Sequence, residues 1–373
     1  KNTYLNLYLY PAIRNLNKNL VKFLLKLNPA CDNALIEAAC SNDIEMVDII
    51  LNYKNKPSFI NRQSNNGTAL TIAVKKNNLA IVKRLLSLKG IDLNLCNNNK
   101  QTPLILAVSN LNIEIIDAIF EFYGDDIQYQ TWQLEKALKT LLNLISNSKQ
   151  NYNGYCSATK NLKSLSVDNE FVKILKKFLE IENIDPNLHG DKYTILTYAC
   201  EINEISLVEM LLKTSKINVN LCGLSINFTP LMVSIENHNI EIAKLLIKDH
   251  RTNINYRNSE GKTALVIAVN NCLTEIVDLL INNESFDPEE SELNYAFYLS
   301  TNEIARLLFP LKSLDVNFSL IQYQSVYYDS IKTIGVSDYS KLVLYDTPLV
   351  KATNSNDINM IELIIKHPSF DKI

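Results

Sequence analysis

The sequence predicts an all-α solenoid of about ten stacked helix-turn-helix repeats, joined by short hairpin fingers and broken by two insertions. Three observations carry this expectation. One phrase recurs: TALTIAVKKNNLAIVKRLL from Thr68, TPLILAVSNLNIEIIDAIF from Thr102 and TALVIAVNNCLTEIVDLLI from Thr263. Its spacing is fixed, because Thr68 and Thr102 lie 34 residues apart, as do Thr229 and Thr263, while Thr194 and Thr229 lie 35 apart. Thirteen, fourteen, seventeen and eighteen residues past each mark the chain is almost always apolar, as at Ile81, Val82, Leu85 and Leu86, or at Ile276, Val277, Leu280 and Ile281. That spacing makes one stripe along a helix, so every unit holds a helix with one buried side.

Taken in order, a worn first unit is marked near Leu7, with Leu20, Val21, Leu24 and Leu25 on its second helix, and the next is marked at Asn33. Full phrases follow at Thr68 and Thr102. In the middle, Trp132 to Ser146 reads as a first helix, and Ile174, Leu175, Phe178 and Leu179 supply the second after a polar insertion. Units at Thr194, Thr229 and Thr263 precede a degenerate one near Ser291, with Ile304, Ala305, Leu308 and Phe309, and the last is marked at Thr347. The expected organisation is therefore repeats over 1–130, a degenerate repeat over 131–193 with a flexible insertion at 147–168, repeats over 194–318, a Tyr-rich insertion at 319–346 and a truncated repeat at 347–373.

Local chemistry agrees with two helices per unit. In Thr102-Pro103, Thr229-Pro230 and Thr347-Pro348 the Thr can cap a helix and the Pro can take its first position, where a missing N–H costs nothing. Ten residues on, Asp43, Asn78, Asn112, Asn239, Thr301 and Asp357 stand where the second helix needs a cap. Ala73, Ala107, Ala199 and Ala268 fall where the two helices cross closely. Stretches such as IDLNLCNNNKQ (91–101) read as hairpin fingers. Only 8 of 373 residues are Gly, so another residue must supply positive φ in these turns, and Asn is the candidate.

The TPLxxA wording, two helices and a finger at this period resemble the ankyrin repeat family over nearly the whole chain. The family's His after TPL is replaced by Ile105, Met232 and Val350, and by Thr71 and Thr197. Its finger Gly survives at Gly261, with Asn66, Lys100, Lys192 and Asn227 at the equivalent positions. The resemblance implies a concave surface, lined by finger tips and the exposed ends of first helices, that contacts other proteins.

Several function classes recede on composition. Lys plus Arg number 37 against 40 for Asp plus Glu, which is not the footprint of a nucleic-acid binder. No apolar run reaches a membrane span. The four His, at 189, 238, 250 and 367, form no zinc-ligand spacing with each other or with Cys, no phosphate-binding glycine loop is written, and neither a cofactor nor a metal is expected. Seven scattered Cys suit reduced thiols in a cytoplasmic compartment, with Cys40 and Cys200 in small-residue helix positions. The DPEESE cluster (287–292) and Asp125-Asp126 read as solvated tips.

Mapped by repeat position, the exposed ends of the first helices are Lys75, Lys76, Ser109, Asn110, Glu201, Ile202, Glu236, Asn237, Asn270 and Asn271. Tyr193, Ile202, Ile226 and Phe228 fall on the same side of adjacent units and form the candidate anchor, unless Tyr193 and Phe228 simply pack finger on finger. In the second insertion Tyr323, Tyr327 and Tyr328 either contact a partner or fold back on neighbouring repeats. The expected role is a non-catalytic scaffold or adaptor that binds one or more proteins and no nucleic acid. A second reading is a component of a cytoskeletal or membrane-skeleton assembly, since neither end of the chain shows a polar capping unit. A third is the targeting part of an effector or enzyme whose catalytic domain lies outside the chain.

Overall fold

Six threonines decide where six helices begin. In the computed structural model, Thr68, Thr102, Thr194, Thr229, Thr263 and Thr347 all sit in extended backbone, and each Oγ1 accepts the backbone N–H three residues on. These bonds satisfy donors that a helix start would otherwise leave bare. Five of the six threonines are buried, so the cap is sealed inside the stack. The structure describes residues 5–27, 31–53, 57–150, 162–223, 227–287, 289–311, 313–317 and 347–370.

The chain divides into two compact units, Lys1–Lys192 and Tyr193–Ile373. The first pairs α1 (Asn6–Arg14) with α2 (Lys18–Lys26), and α3 (Ala34–Ser41) with α4 (Ile44–Tyr53). After the one-turn α5 (Pro57–Ile60) come α6 (Ala69–Lys75) with α7 (Leu79–Leu86), and α8 (Pro103–Ser109) with α9 (Ile113–Tyr123). A 3-10 segment, Gly124–Tyr129, leads into α10 (Thr131–Gln150), whose partner is α11 (Leu162–Leu179). The second unit pairs α12 (Ile195–Glu201) with α13 (Ile205–Leu212), α14 (Pro230–Glu236) with α15 (Ile240–Lys248), and α16 (Ala264–Asn270) with α17 (Thr274–Ile281). It continues with α18 (Glu290–Leu299) and α19 (Asn302–Leu308), then α20 (Pro348–Asn354) and α21 (Ile358–Ile365).

Within each unit the first helices pack on first helices and the second on second, which is the stacking that makes a solenoid. The apolar stripe lies in each joint: Ile81, Val82, Ile115, Ile116, Ile276 and Val277 are fully buried. Ala73, Ala107, Ala199 and Ala268 are fully buried as well, where a larger side chain would separate the helices. The second-helix caps are mixed. Asp43, Asn78, Asn112 and Asp357 accept from the third residue of the helix, whereas Asn239 and Thr301 make no such bond. Asn239 turns its amide to the Cys200 carbonyl of the neighbouring pair at 2.6 Å instead. Leu20 also departs from expectation: it belongs to the apolar stripe by position, yet it is 40% exposed.

The sharp turn between the two helices of a pair needs a left-handed residue. Leu16, Asn42, Asn77, Leu111, Asn203, His238, Cys272 and Asn356 occupy it, with φ between 52° and 61°. Counting Asn227, asparagine fills five of the ten positive-φ positions outside glycine among the described residues, so it does replace glycine here. Leu111 is poorly suited, since a Cβ costs about 1–2 kcal/mol in this region. Glycine there returns roughly half of that as unfolded-state entropy. Leu111→Gly is therefore expected to stabilise the fold by about 0.5–1 kcal/mol in urea melts; a loss would mean that the leucine side chain packs productively.

The fingers close as hairpin-type turns: the Asn97 and Asn258 N–H groups donate to the Gln101 and Lys262 carbonyls. Among the described residues no strand forms, and an isolated bridge joins Ser64 to Gly67. Asparagine side chains stand in for a ladder: Asn97 Oδ1 accepts from the N–H of Asn99 and Gln101, and Asn258 Oδ1 from those of Glu260 and Lys262. Positive φ occurs at Lys100, Asn227 and Gly261 as the repeat position requires, but in the first finger it is taken by Gly67, one residue after Asn66. A Cβ at Gly67 would collide with Thr71 Oγ1. Of the excursion expected at 147–168, both ends are helical, because α10 runs to Gln150 and α11 starts at Leu162, and 151–161 lies outside the described residues. The Tyr-rich insertion, 319–346, lies outside the described residues.

In three fingers one asparagine ties neighbouring repeats together. Asn61 Nδ2 donates to the Gly90 carbonyl at 2.7 Å while its Oδ1 accepts the Asp92 N–H at 3.0 Å. Asn220 does the same to Arg251 O and the Asn253 N–H in the next finger, at 2.8 and 2.7 Å, and Asn255 to Ser285 O and the Asp287 N–H at 2.7 and 3.2 Å. Each amide thus satisfies one carbonyl and one N–H of the following unit, a pairing that a carboxylate, which only accepts, cannot make.

Candidate interaction surface

The ends of the first helices are the places where backbone capping, stacking and solvent meet. In the first unit, Lys75 closes α6 and Lys76 is its C-cap; both side chains are exposed. Beside them Asn110 donates from Nδ2 to the Val74 carbonyl at 3.1 Å and to Asn77 Oδ1 at 2.9 Å, which fixes the edge of the lysine pair to the next repeat. Earlier in the same row Arg14 makes two 2.7 Å bonds to the Glu37 carboxylate, and Lys18 pairs with Asp43 and Glu45. The Cys40 thiol lies between these groups and Lys76, and burial together with Glu37 raises its pKa above the ordinary value.

In the second unit the same positions carry carboxylates. Glu201 is the last residue of α12 and Glu236 the last of α14; Asn271 reaches across one repeat to Glu236 Oε2 at 3.2 Å. Ile202, the C-cap of α12, is half-buried, and Phe228, one residue before the Thr229 cap, is half-buried too. Thus α6 presents cations at this end, whereas α12 and α14 present carboxylates.

The four-residue anchor expected from the sequence does not assemble as such. Tyr193 is 3% exposed, tilted against Tyr198 with ring centroids 6.1 Å apart, so it belongs to the core. Burial, reinforced by the neighbouring Glu201 carboxylate, drives its hydroxyl pKa well above the ordinary phenol. The reason is local: the residue just before the capping Thr194 turns under the first helix rather than out along the finger. Ile226, like Tyr323, Tyr327 and Tyr328, lies outside the described residues. What remains of the cluster is Ile202 and Phe228.

The fingers of the second unit add groups that sequence spacing did not single out. Tyr256 donates its hydroxyl hydrogen to Asn227 Oδ1 at 3.2 Å. Arg257 reaches Glu289 at 3.0 Å and the buried Glu292 at 3.3 Å, and Glu292 also accepts from the Thr263 cap. Burial raises the Glu292 carboxyl pKa, with the Thr263 bond and the Arg257 charge opposing it. Lys262 pairs with Glu260 at 2.7 Å, which holds its amine above the ordinary lysine value. A signal existed for this network: DPEESE follows the Arg257 finger by one repeat length, so acid and base were due to meet.

Among the described residues no group of His, Cys, Asp and Glu is placed to hold a metal ion, and no helix is long and apolar enough to cross a membrane. All six described cysteines are free thiols, and Cys200 is buried with its pKa pushed far up by burial alone.

The family model for ankyrin repeats, in three copies, matches residues 35–131 and 164–258, just over half of the chain. The chain belongs to the ankyrin repeat family. Repeats of this family are generally protein-protein interaction modules. Among curated proteins the chain is similar to an ankyrin repeat protein of Acanthamoeba polyphaga mimivirus, 25% identical over 249 residues, covering 62% of this chain and 32% of that protein. It is also similar to an ankyrin repeat protein of Fowlpox virus, 29% identical over 125 residues, covering 33% of this chain and 20% of the relative. The chain thus spans about a third of the first relative and a fifth of the second. Among solved structures, the ankyrin repeat domain of human ASB11 aligns at 20% identity and a TM-score of 0.40, over 67% of this chain and 97% of that one.

Proposed function

We propose that this chain is a non-catalytic scaffold that binds protein partners through the ends of its first helices and the adjacent finger tips. The observation that carries this reading is the division of labour within each repeat. Stripe and small-residue positions are committed to stacking, and the threonines and most of the second-helix caps to ending helices, while Lys75, Lys76 and Glu236 stay exposed at equivalent places and differ in charge. A constant frame carrying variable exposed side chains is what modular recognition requires. Glu201, Ile202 and Phe228 are half-buried beside them and supply the partly apolar part of the surface. The cytoplasm is the proposed compartment, on the strength of free thiols.

The test is recovery of partners from the native extract by the chain and its charge-reversed forms. Lys75→Glu with Lys76→Glu, or Glu201→Lys with Glu236→Lys, is expected to cut recovery of a partner by about tenfold or more, equivalent to roughly 1.4 kcal/mol. Lys83→Glu, on the exposed side of α7, should leave it unchanged. An equal loss from Lys83→Glu would mean that binding is not confined to this surface.

A second reading, incorporation into a larger structural assembly, is favoured by one specific observation. The face of α1 and α2 leaves large apolar side chains uncovered.

A further inference from the structure

The register of the regular repeats continues into α10. Gln133, Leu134, Ala137 and Leu138 line up with Pro103, Leu104, Ala107 and Val108, and all eight are buried. Because α10 packs on α8 and α8 on α6, the three form one run of first helices inside the first compact unit. Lys139 therefore stands where Lys75 and Ser109 stand, and Lys136 stands where Ile72 and Leu106 are buried.

This run carries charge of one sign. Lys75, Lys76, Lys100, Lys136 and Lys139 are all exposed, and no ion pair among the described residues uses any of them. In the same unit Arg14 is neutralised by Glu37, Arg84 by Asp48 and Lys177 by Asp117. The acids of the stretch stand apart. Of the seven between Ala69 and Gln150, five belong to α9 and the 3-10 segment after it, leaving Asp92 and the half-buried Glu135. The field over the first helices is thus locally positive although the chain's net charge is −3.

The cations also have a spacing. Lys75 and Lys76 end α6, and Lys136 and Lys139 lie on α10, while α8 between them offers the neutral Ser109 and Asn110. Helices stacked about 8–10 Å apart put the two lysine pairs about 16–20 Å from each other. An extended chain at about 3.3 Å per residue spans that distance in about five or six residues. Lys136 donates from Nζ to the Lys100 carbonyl at 3.0 Å, which ties α10 to the finger that carries Lys100. One turn before Lys136, on the same face, Trp132 is 52% exposed, and it is the chain's one tryptophan.

We infer that this face of the first unit takes an extended acidic segment of a partner protein, on the binding role given above to the first-helix ends. Its carboxylates, about six residues apart, sit at the two lysine pairs, and an apolar side chain beside them meets Trp132. Five cations on a chain of net charge −3 match a few carboxylates rather than the phosphate run of a nucleic acid.

Titration of the whole chain with a fluorescein-labelled peptide tests it, the peptide carrying two Glu pairs separated by about five neutral residues and a Leu beyond one pair. Its anisotropy should saturate below millimolar peptide, binding should weaken severalfold as salt rises from about 50 to 200 mM, and Trp132 emission should change. Lys75→Gln with Lys76→Gln, and Lys139→Gln alone, which spares the Lys136–Lys100 bond, should each weaken binding about threefold or more. Lys83→Gln, on the exposed side of α7, should leave it unchanged. Absence of saturation at millimolar peptide overturns the inference, as does unchanged Trp132 emission at saturation. So does equal affinity for a peptide with its Glu residues contiguous or replaced by Gln, or for an oligothymidylate, which would refer the face to phosphate. If the peptide fails while Lys75→Glu with Lys76→Glu still cuts partner recovery, the helix ends bind a partner of other chemistry and the acidic segment alone is excluded. If recovery is unchanged as well, the binding role of these helix ends falls too.

Discussion

Ile276→Ala is expected to lower stability by about 2–5 kcal/mol, and Leu20→Ala, at the equivalent place in the first helix pair, by well under 1 kcal/mol in the monomer. The two residues hold the same position in the repeat, so local sequence cannot separate them. What separates them is what lies opposite. Ile276 is fully buried in the joint between α15 and α17, and truncating it removes apolar contact while leaving a cavity that the packed helices cannot close. Leu20 is 40% exposed and loses little. Urea melts followed by far-ultraviolet circular dichroism measure both. Equal losses at the two sites would mean that the α1–α2 face is covered in the folded chain.

The second large effect belongs to the finger asparagines. Asn255→Ala should cost about 1–3 kcal/mol, because it strips the partners from the Ser285 carbonyl and the Asp287 N–H together. Asn255→Asp should cost nearly as much despite its similar shape. Its second carboxylate oxygen would face a carbonyl where an N–H donor is needed. Asn255→Gln, which keeps both groups on a longer arm, is expected to recover part of the loss. If Asp and Asn prove equal in stability, the amide donor contributes nothing and the clamp is a description of proximity only.

These two positions also show what was legible in the sequence. The Thr marks, the apolar stripe and the small residues were readable because each is a local demand repeated many times: a cap, a buried face, a close crossing. The asparagine clamp was less readable, since Asn is common throughout this chain and the bonds of Asn220 reach 31 and 33 residues on, to groups of the backbone. Tyr193 was placed on the surface by position, but whether an aromatic before a cap turns in or out depends on Tyr198 and Glu201 beneath it. The stretches 147–150 and 162–168 are helical without an obvious apolar stripe, because extending an existing helix needs only its own backbone bonds. Hairpin fingers were expected from extended polar wording, and side-chain carbonyls of Asn97 and Asn258 replaced the strand ladder. At the candidate surface, the charged helix ends were legible from register alone, whereas the Tyr256–Asn227 and Arg257–Glu292 contacts required the fingers to be folded.

The most direct measurement of the central claim is covalent footprinting of the chain, free and partner-bound, read residue by residue. The account predicts protection at Lys75 and Lys76, at Glu201 and Glu236, and at Phe228, with the second-helix residue Lys83 unchanged. Protection centred on the second helices, with Lys75, Lys76 and Glu236 as reactive as in the free chain, would contradict it.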